Sequence, residues 1–285
     1  MNLVTKSNND YIEPIPHDNN INSIISDFSV KEEKVVVWDA DSIIYTTLYM
    51  GKNPETGELN PPYTENDLEF LYGKLDEYML KILNNIENYF IIKSLYIFIR
   101  GKDNFRKKLY PEYKSNRPKK DPLSVYLYDY MKEKYQAVES HGYEAEDYCA
   151  TIAWKLGKDC IIAYVDHDLE EISGAILYNY QRDKFMQLSE KEAIYNKYKK
   201  LNIGENGDFA NFTPSYAEKS FERDFHIDMT IEEYEAQTLE TFIWCWSDKL
   251  KVKGKKIQRF PNESLAKEKL ELAKQIIWLQ NVENK

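Results

Sequence analysis

Apolar residues follow two periodicities along the chain. Unbroken apolar runs occur in KVVVWD, ending at Asp39, in SLYIFI (94–99) and in CIIAYV (160–165). Runs of this length suit strands buried on both faces of a sheet. Between and around them apolar positions recur every three or four residues, over 65–90, about 122–136 and 144–156 (EAEDYCATIAWKL). That spacing predicts helices. Buried strands alternating with helices predict an α/β fold, with a mostly parallel central sheet flanked by helices. AILYNY (175–180) and KFMQL (184–188) read as a short hairpin, followed by a helix over 189–200. The remainder predicts helices at about 214–223, 230–246 and 263–280. Three parts follow: a polar, Asn-rich extension over 1–33, an α/β domain over 34–200, and a helical C-terminal region over 201–285.

Composition adds limits. With 285 residues, 42% hydrophobic and 30% charged, the chain can bury a substantial core and is not of a disordered class. No run approaches the roughly 18 apolar residues of a membrane span, and the start lacks the apolar region of a signal peptide. A cytoplasmic, membrane-free protein is expected. Cys149, Cys160 and Cys245 have no metal-binding spacing and sit beside apolar residues, as buried reduced thiols do. The net charge of −10 argues, as an average, against a nucleic-acid partner. Its distribution reverses that inference. Residues 100–120 (RGKDNFRKKLYPEYKSNRPKK) hold nine basic and two acidic residues. Phe105, Tyr110 and Tyr113 are interleaved with them. Cations hold phosphates and aromatic faces stack on unpaired bases, so this mixture suits single-stranded nucleic acid. KLKVKGKKIQR (249–259) is a second basic patch.

The carboxylates supply the candidate chemistry. Asp39 and Asp41 follow the first strand, Glu144, Glu146 and Asp147 open a helix, and Asp166 and Asp168 follow the third strand. In parallel sheets, sites form outside the carboxyl ends of strands. Clustered carboxylates repel one another unless a cation joins them, and oxygen ligands suit Mg²⁺ or Mn²⁺. Two such ions can activate water and stabilise the leaving oxygen of a phosphodiester. Taken singly, each cluster has a plainer reading, with Asp39 and Asp168 as helix caps and the acids at 144–147 complementing a helix dipole. Three clusters at matching positions beside a basic aromatic segment favour the metal. His141 and His167 are assigned no role.

Three segments in order resemble the 5′→3′ exonuclease and flap-endonuclease family, especially its phage members. NFRKKLYPEYKSNRP (104–118) is similar to the family's FRxxxxPxYKxxR helical arch. GYEAEDYCATIA (142–153) is similar to its glycine-x-EADD helix, and VDHDLEEISG (165–174) to its strand followed by D-x-DL. The resemblance covers 34–200 well and fades towards 245. It implies a PIN-like nuclease fold, a monomer hydrolysing DNA (or RNA) from a 5′ end or at a flap, and a place in phage DNA replication in the host cytoplasm. By the same resemblance, Asp39, Glu144, Glu146, Asp147, Asp166, Asp168 and Asp208 match metal-binding carboxylates. Lys114 and Arg117 match arch cations at the scissile phosphate, and Tyr113 matches a base-stacking position. Arg106, Lys107, Lys119 and Lys120 complete the expected nucleic-acid surface.

Departures are specific. Arg100 stands where the family often has an Asp, and Glu146 replaces an Asp. In NGDFANF, Asp208 fits the first acid of a GDxxDN motif, while Asn211 stands at the second. The family's following glycine-rich, duplex-gripping turn is missing. These departures motivate an alternative, a nuclease fold retained as a nucleic-acid-binding or interaction protein. A single-strand RNA nuclease is a third reading.

Overall fold

The computed structural model describes residues 31–49, 63–115, 117, 120–204, 212–213, 216–250 and 258–283. Most of the expected extension, and Lys119, Asp208, Asn211 and 251–257 of the second basic patch, lie outside these residues.

The central sheet has six strands. They are β1 (Glu33–Asp39), β2 (Ile91–Ile99), β3 (Val138–Glu139), β4 (Cys160–Tyr164), β5 (Ile176–Asn179) and β6 (Lys184–Met186), in the spatial order β3-β2-β1-β4-β5-β6. All neighbours pair in parallel except β5 and β6, which form the expected antiparallel hairpin. β1 is therefore central, and the chain leaves it in one direction through β2 and β3 before crossing back to β4. The crevice at the carboxyl ends of β1 and β4 is the place where such sheets bind ligands.

Side-chain alternation gives each face its own core. Val36 and Trp38 of β1, Ile97 and Ile99 of β2, and Ile161 and Ala163 of β4 point to one face. There they meet three helices, α1 (Asp41–Tyr49), α2 (Leu68–Glu87) and α4 (Ser124–Tyr135). α2 presents Leu71, Leu75, Met79, Ile82 and Ile86, an unbroken stripe at helical spacing. Val37, Phe98, Ile162 and Tyr164 point to the other face and meet α5 (Ala145–Leu156). α5 contributes Ala145, Cys149, Ala150 and Ala153, small side chains that let it lie close on the sheet. Both Cys149 and Cys160 are buried free thiols. A separate apolar cluster joins α6 (Glu190–Ile203), α7 (Glu218–Asp224), α8 (Ile231–Cys245) and α9 (Glu263–Ile277).

Several boundaries differ from the sequence reading. α1 is an additional helix, and β2 begins at Ile91 because Glu33 pairs with it across a register shift between Lys34 and Val35. The C-terminal region is not wholly helical, since β7 (Asp248–Leu250) and β8 (Gln258–Phe260) form a two-stranded antiparallel ribbon. The basic segment is also less helical than the resemblance implies. Among its described residues the helix α3 covers only Phe105–Leu109, and residues 111–115 are turns. Lys114 has φ +55° and Arg117 N–H reaches the Lys114 carbonyl at 3.4 Å, so these two cations stand on a turn and not on one helix face. Glycine is required at 101, where a Cβ would stand 1.7 Å from the Ser140 carbonyl oxygen.

Candidate active site

Helix α5 runs back against β1 and β4, so its N-terminus lies at the carboxyl ends of those strands. Asp39 ends β1, Glu144 precedes α5, and Asp166 precedes a 3-10 turn over His167–Glu171 after β4. The Asp166 side chain accepts the Asp168 N–H at 3.2 Å, so Asp166, not Asp168, is the capping residue of this turn. Asp39 is buried and accepts a long 3.4 Å bond from the Asp41 N–H. Its carboxyl is held well above the usual range by burial, then by Asp41 and Asp166, with Lys114 opposing. Glu146 is likewise raised by burial and by Asp39, Glu144 and Asp168. Asp166 is raised by burial of its carboxyl and by Asp168. Asp39 feels Asp166, Glu146 feels Asp39, and both Glu146 and Asp166 feel Asp168, which links them electrostatically.

Glu144 behaves differently. Burial works against its charge, but Lys114 at 2.7 Å, Arg106 at 3.6 Å and the Tyr113 hydroxyl at 2.8 Å outweigh it and hold the carboxyl below its ordinary value. Lys114 is raised in turn; its burial is overcome by Glu144 and Glu146. The arch lysine thus sits within the acid cluster. Arg117, Lys107 and Lys120 are exposed around it. Lys120 has its pKa lowered to about 8 by partial burial and by Arg100.

Three assignments carried over with the resemblance need correction. Asp147 is 0% exposed and forms a two-pronged ion pair with Arg106, at 2.5 and 2.8 Å. It also accepts the backbone N–H of Glu144 at 3.0 Å and of Gln280 at 2.8 Å. Its oxygens are spent on structure, and it is not placed as a metal ligand. Arg106, 2% exposed, donates further to the Ile276 and Trp278 carbonyls at 2.8 and 3.1 Å, so it is an internal brace and not a phosphate contact. Tyr113 is 5% exposed and faces Glu144, which leaves no open ring face for a base. Arg100 donates its N–H to Asp41 at 2.9 Å, with its guanidinium 3.6 Å from the same carboxylate.

Two features escaped sequence reasoning. Lys200 of α6 pairs with Asp168 at 3.0 Å. Ile276, Ile277 and Leu279 form the back wall of a cleft that Arg106, Tyr113, Glu144, Glu146 and Asp168 also line. Neither lies in a recognisable motif.

Among the described residues no three acidic, histidine or cysteine side chains converge as placed to hold an ion. Glu144 and Asp168 are drawn to Lys114 and Lys200 instead. Asp39, Glu146 and Asp166 nevertheless fit a divalent cation in kind. They are oxygen donors whose ionisation is disfavoured by burial and by neighbouring carboxylates, a cost that a hard cation relieves. Among the described residues no helix is long and apolar enough to cross a membrane.

Comparison with solved structures settles the fold. A mutant of the T5 5′-exonuclease matches with a TM-score of 0.51 at 13% identity, over 88% of each chain. The fold is that of the T5 5′-exonuclease. The T5 5′-exonuclease with bound divalent metal ions (zinc) matches this 5′→3′ exonuclease fold equally, with a TM-score of 0.51 at 15% identity, over 85% of this chain and 88% of that one. A curated 5′-3′ exonuclease of Buchnera aphidicola subsp. Schizaphis graminum is 28% identical over 182 residues. That match covers 59% of this chain, which spans 60% of the length of that bacterial relative. No family model matches.

Proposed function

We propose that this protein is a divalent-metal-dependent nuclease that hydrolyses DNA phosphodiester bonds at a 5′ end or 5′ flap. The observation that carries the reading is the cluster of Asp39, Glu146 and Asp166 at the carboxyl ends of β1 and β4, with the Lys114 ammonium held inside it by Glu144. Asp39, Glu146 and Asp166 would hold Mg²⁺ or Mn²⁺. When bound, the ion supplies Lewis acidity, making a water nucleophilic at neutral pH and offsetting charge on the phosphoryl oxygens. The chain's own residues do the rest. Lys114 offers an N–H donor where a phosphate would dock, and Arg117 adds a second cation on the same turn. Both stabilise charge that develops in the transition state. Exposed Lys107 and Lys120 hold flanking phosphates and set the register of the strand. Tyr113 and Arg106 fix Glu144, which in turn positions Lys114.

The test uses 5′-labelled duplex, 5′-flap and single-stranded substrates in DNA and RNA forms, with Mg²⁺, Mn²⁺ or chelator. Short labelled products from 5′ ends or flap junctions, lost with chelator and reduced at least about 10-fold by Asp166→Ala, are expected. Salt-dependent binding without turnover under any cation would replace this reading with that of a binding protein on a nuclease fold.

A further inference from the structure

Lys200 lies in the last turn of the helix α6, and its side chain is 12% exposed. Its ammonium stands 3.0 Å from Asp168 Oδ1 and 3.1 Å from Glu171 Oε1, and donates to the Ile277 carbonyl at 2.8 Å. The carbonyl takes a hydrogen bond, and the two carboxylates are ion-pair partners of the same ammonium. Glu171 explains why this arrangement is fixed. Its side chain is 3% exposed, and its other oxygen accepts the Leu279 N–H at 3.4 Å. Burial pushes the Glu171 carboxyl up and Lys200 opposes it, so withdrawal of Lys200 would add to the cost of its charge.

We infer that Lys200 is a resident cation standing in place of one of the two divalent ions that the sequence pattern implies, so that Asp168 neutralises a lysine and does not ligate metal. This rests on the metal-dependent reading of Asp39, Glu146 and Asp166. One ion then binds per chain, on the β1 side of the crevice. The stabilisation that a second ion would give the leaving oxygen falls to Lys114 and Arg117.

Mn²⁺ binding to the full chain without nucleic acid, followed by the electron paramagnetic resonance of free Mn²⁺, tests the inference apart from cleavage. The wild type binds one ion, Lys200→Arg binds one, and Lys200→Met, which frees Asp168 and Glu171, binds two. Asp168→Asn, in a chain that keeps its lysine, changes Mn²⁺ affinity by less than about threefold, whereas loss of a ligand or its support costs about 10–100-fold. Should Lys200→Met not fold, Asp168→Asn carries the test alone. Two ions in the wild type, or a loss of tenfold or more in Asp168→Asn, overturns the inference and leaves the metal-dependent reading standing. No bound ion in the wild type overturns both.

Discussion

Replacing Arg106 with methionine tests whether that residue is a brace or a nucleic-acid contact. The substitution keeps the apolar stem and removes the guanidinium. Asp147, 0% exposed, then loses both prongs of its ion pair, and the Ile276 and Trp278 carbonyls lose a donor. Removing one partner of a buried pair costs about 3–5 kcal/mol, because the other charge stays buried. The Glu144 and Gln280 N–H groups still reach Asp147, which places the cost near the lower end. At about 2–4 °C per kcal/mol for a chain of this size, the melting temperature should fall by about 6–12 °C. Urea unfolding followed by tryptophan fluorescence measures the free energy directly. The double variant Arg106→Met/Asp147→Leu should recover only part of the loss, since it removes the unpaired charge but leaves the Glu144 and Gln280 N–H groups without their acceptor. The reasoning is refuted if Arg106→Met melts within about 1 °C of wild type while the salt dependence of DNA binding loses about one unit of slope, the signature of one lost phosphate contact.

Asp39→Asn should raise the stability of the metal-free protein while abolishing Mn²⁺ binding. A carboxyl whose folded pKa lies above its unfolded value favours folding at low pH, and that benefit is lost as pH rises, so the wild-type apoprotein should lose stability from about pH 4 upward more steeply than the variant in thermal scans. Gly101→Ala should destabilise the fold by more than about 2 kcal/mol in urea, because the added methyl meets a backbone carbonyl that cannot swing away. DNA affinity in gel shifts should weaken between pH 7 and 9 as Lys120 loses its proton near pH 8, and Lys120→Met should flatten that profile. Asp76→Ala should cost about 1–3 kcal/mol, since this carboxylate accepts from Tyr130 and Tyr135 and pairs with Lys134, tying α2 to α4; Asp76→Asn should show a smaller loss on acidification than wild type, whose lowered carboxyl gives up its stabilisation as pH falls through the folded value.

The parts of the molecule that follow local rules were legible in the sequence. The apolar runs at β1, β2 and β4 and the stripe on α2 depend on residues a few positions apart, and the strand-end positions of Asp39 and Asp166 follow from them. The roles within the site depend on distant partners. Asp147 and Glu146 are adjacent in an acidic run, yet one faces Arg106, 41 positions away, and the other faces Asp39. No spacing rule separates them, because the difference lies in which side of α5 meets the segment around residue 278. Tyr113 sits in a motif that suggests an exposed ring, but the turn at Lys114 folds it inward onto Glu144. Lys200 has no motif at all; only the packing of α6 beside the turn at 167–171 brings it to Asp168.

The brace on Asp147 also sets an order of events during synthesis. Gln280, which caps Asp147, follows it by 133 positions, and Ile276 follows Arg106 by 170. At about 5–20 residues per second, the ribosome takes on the order of ten seconds to make that stretch, during which Arg106 and Asp147 have each other but not the carbonyls and amide that hold them. The wall of the cleft made by Ile276, Ile277 and Leu279 is absent for the same interval. A nascent chain therefore displays its basic segment before the brace behind that segment and the wall of the cleft are complete.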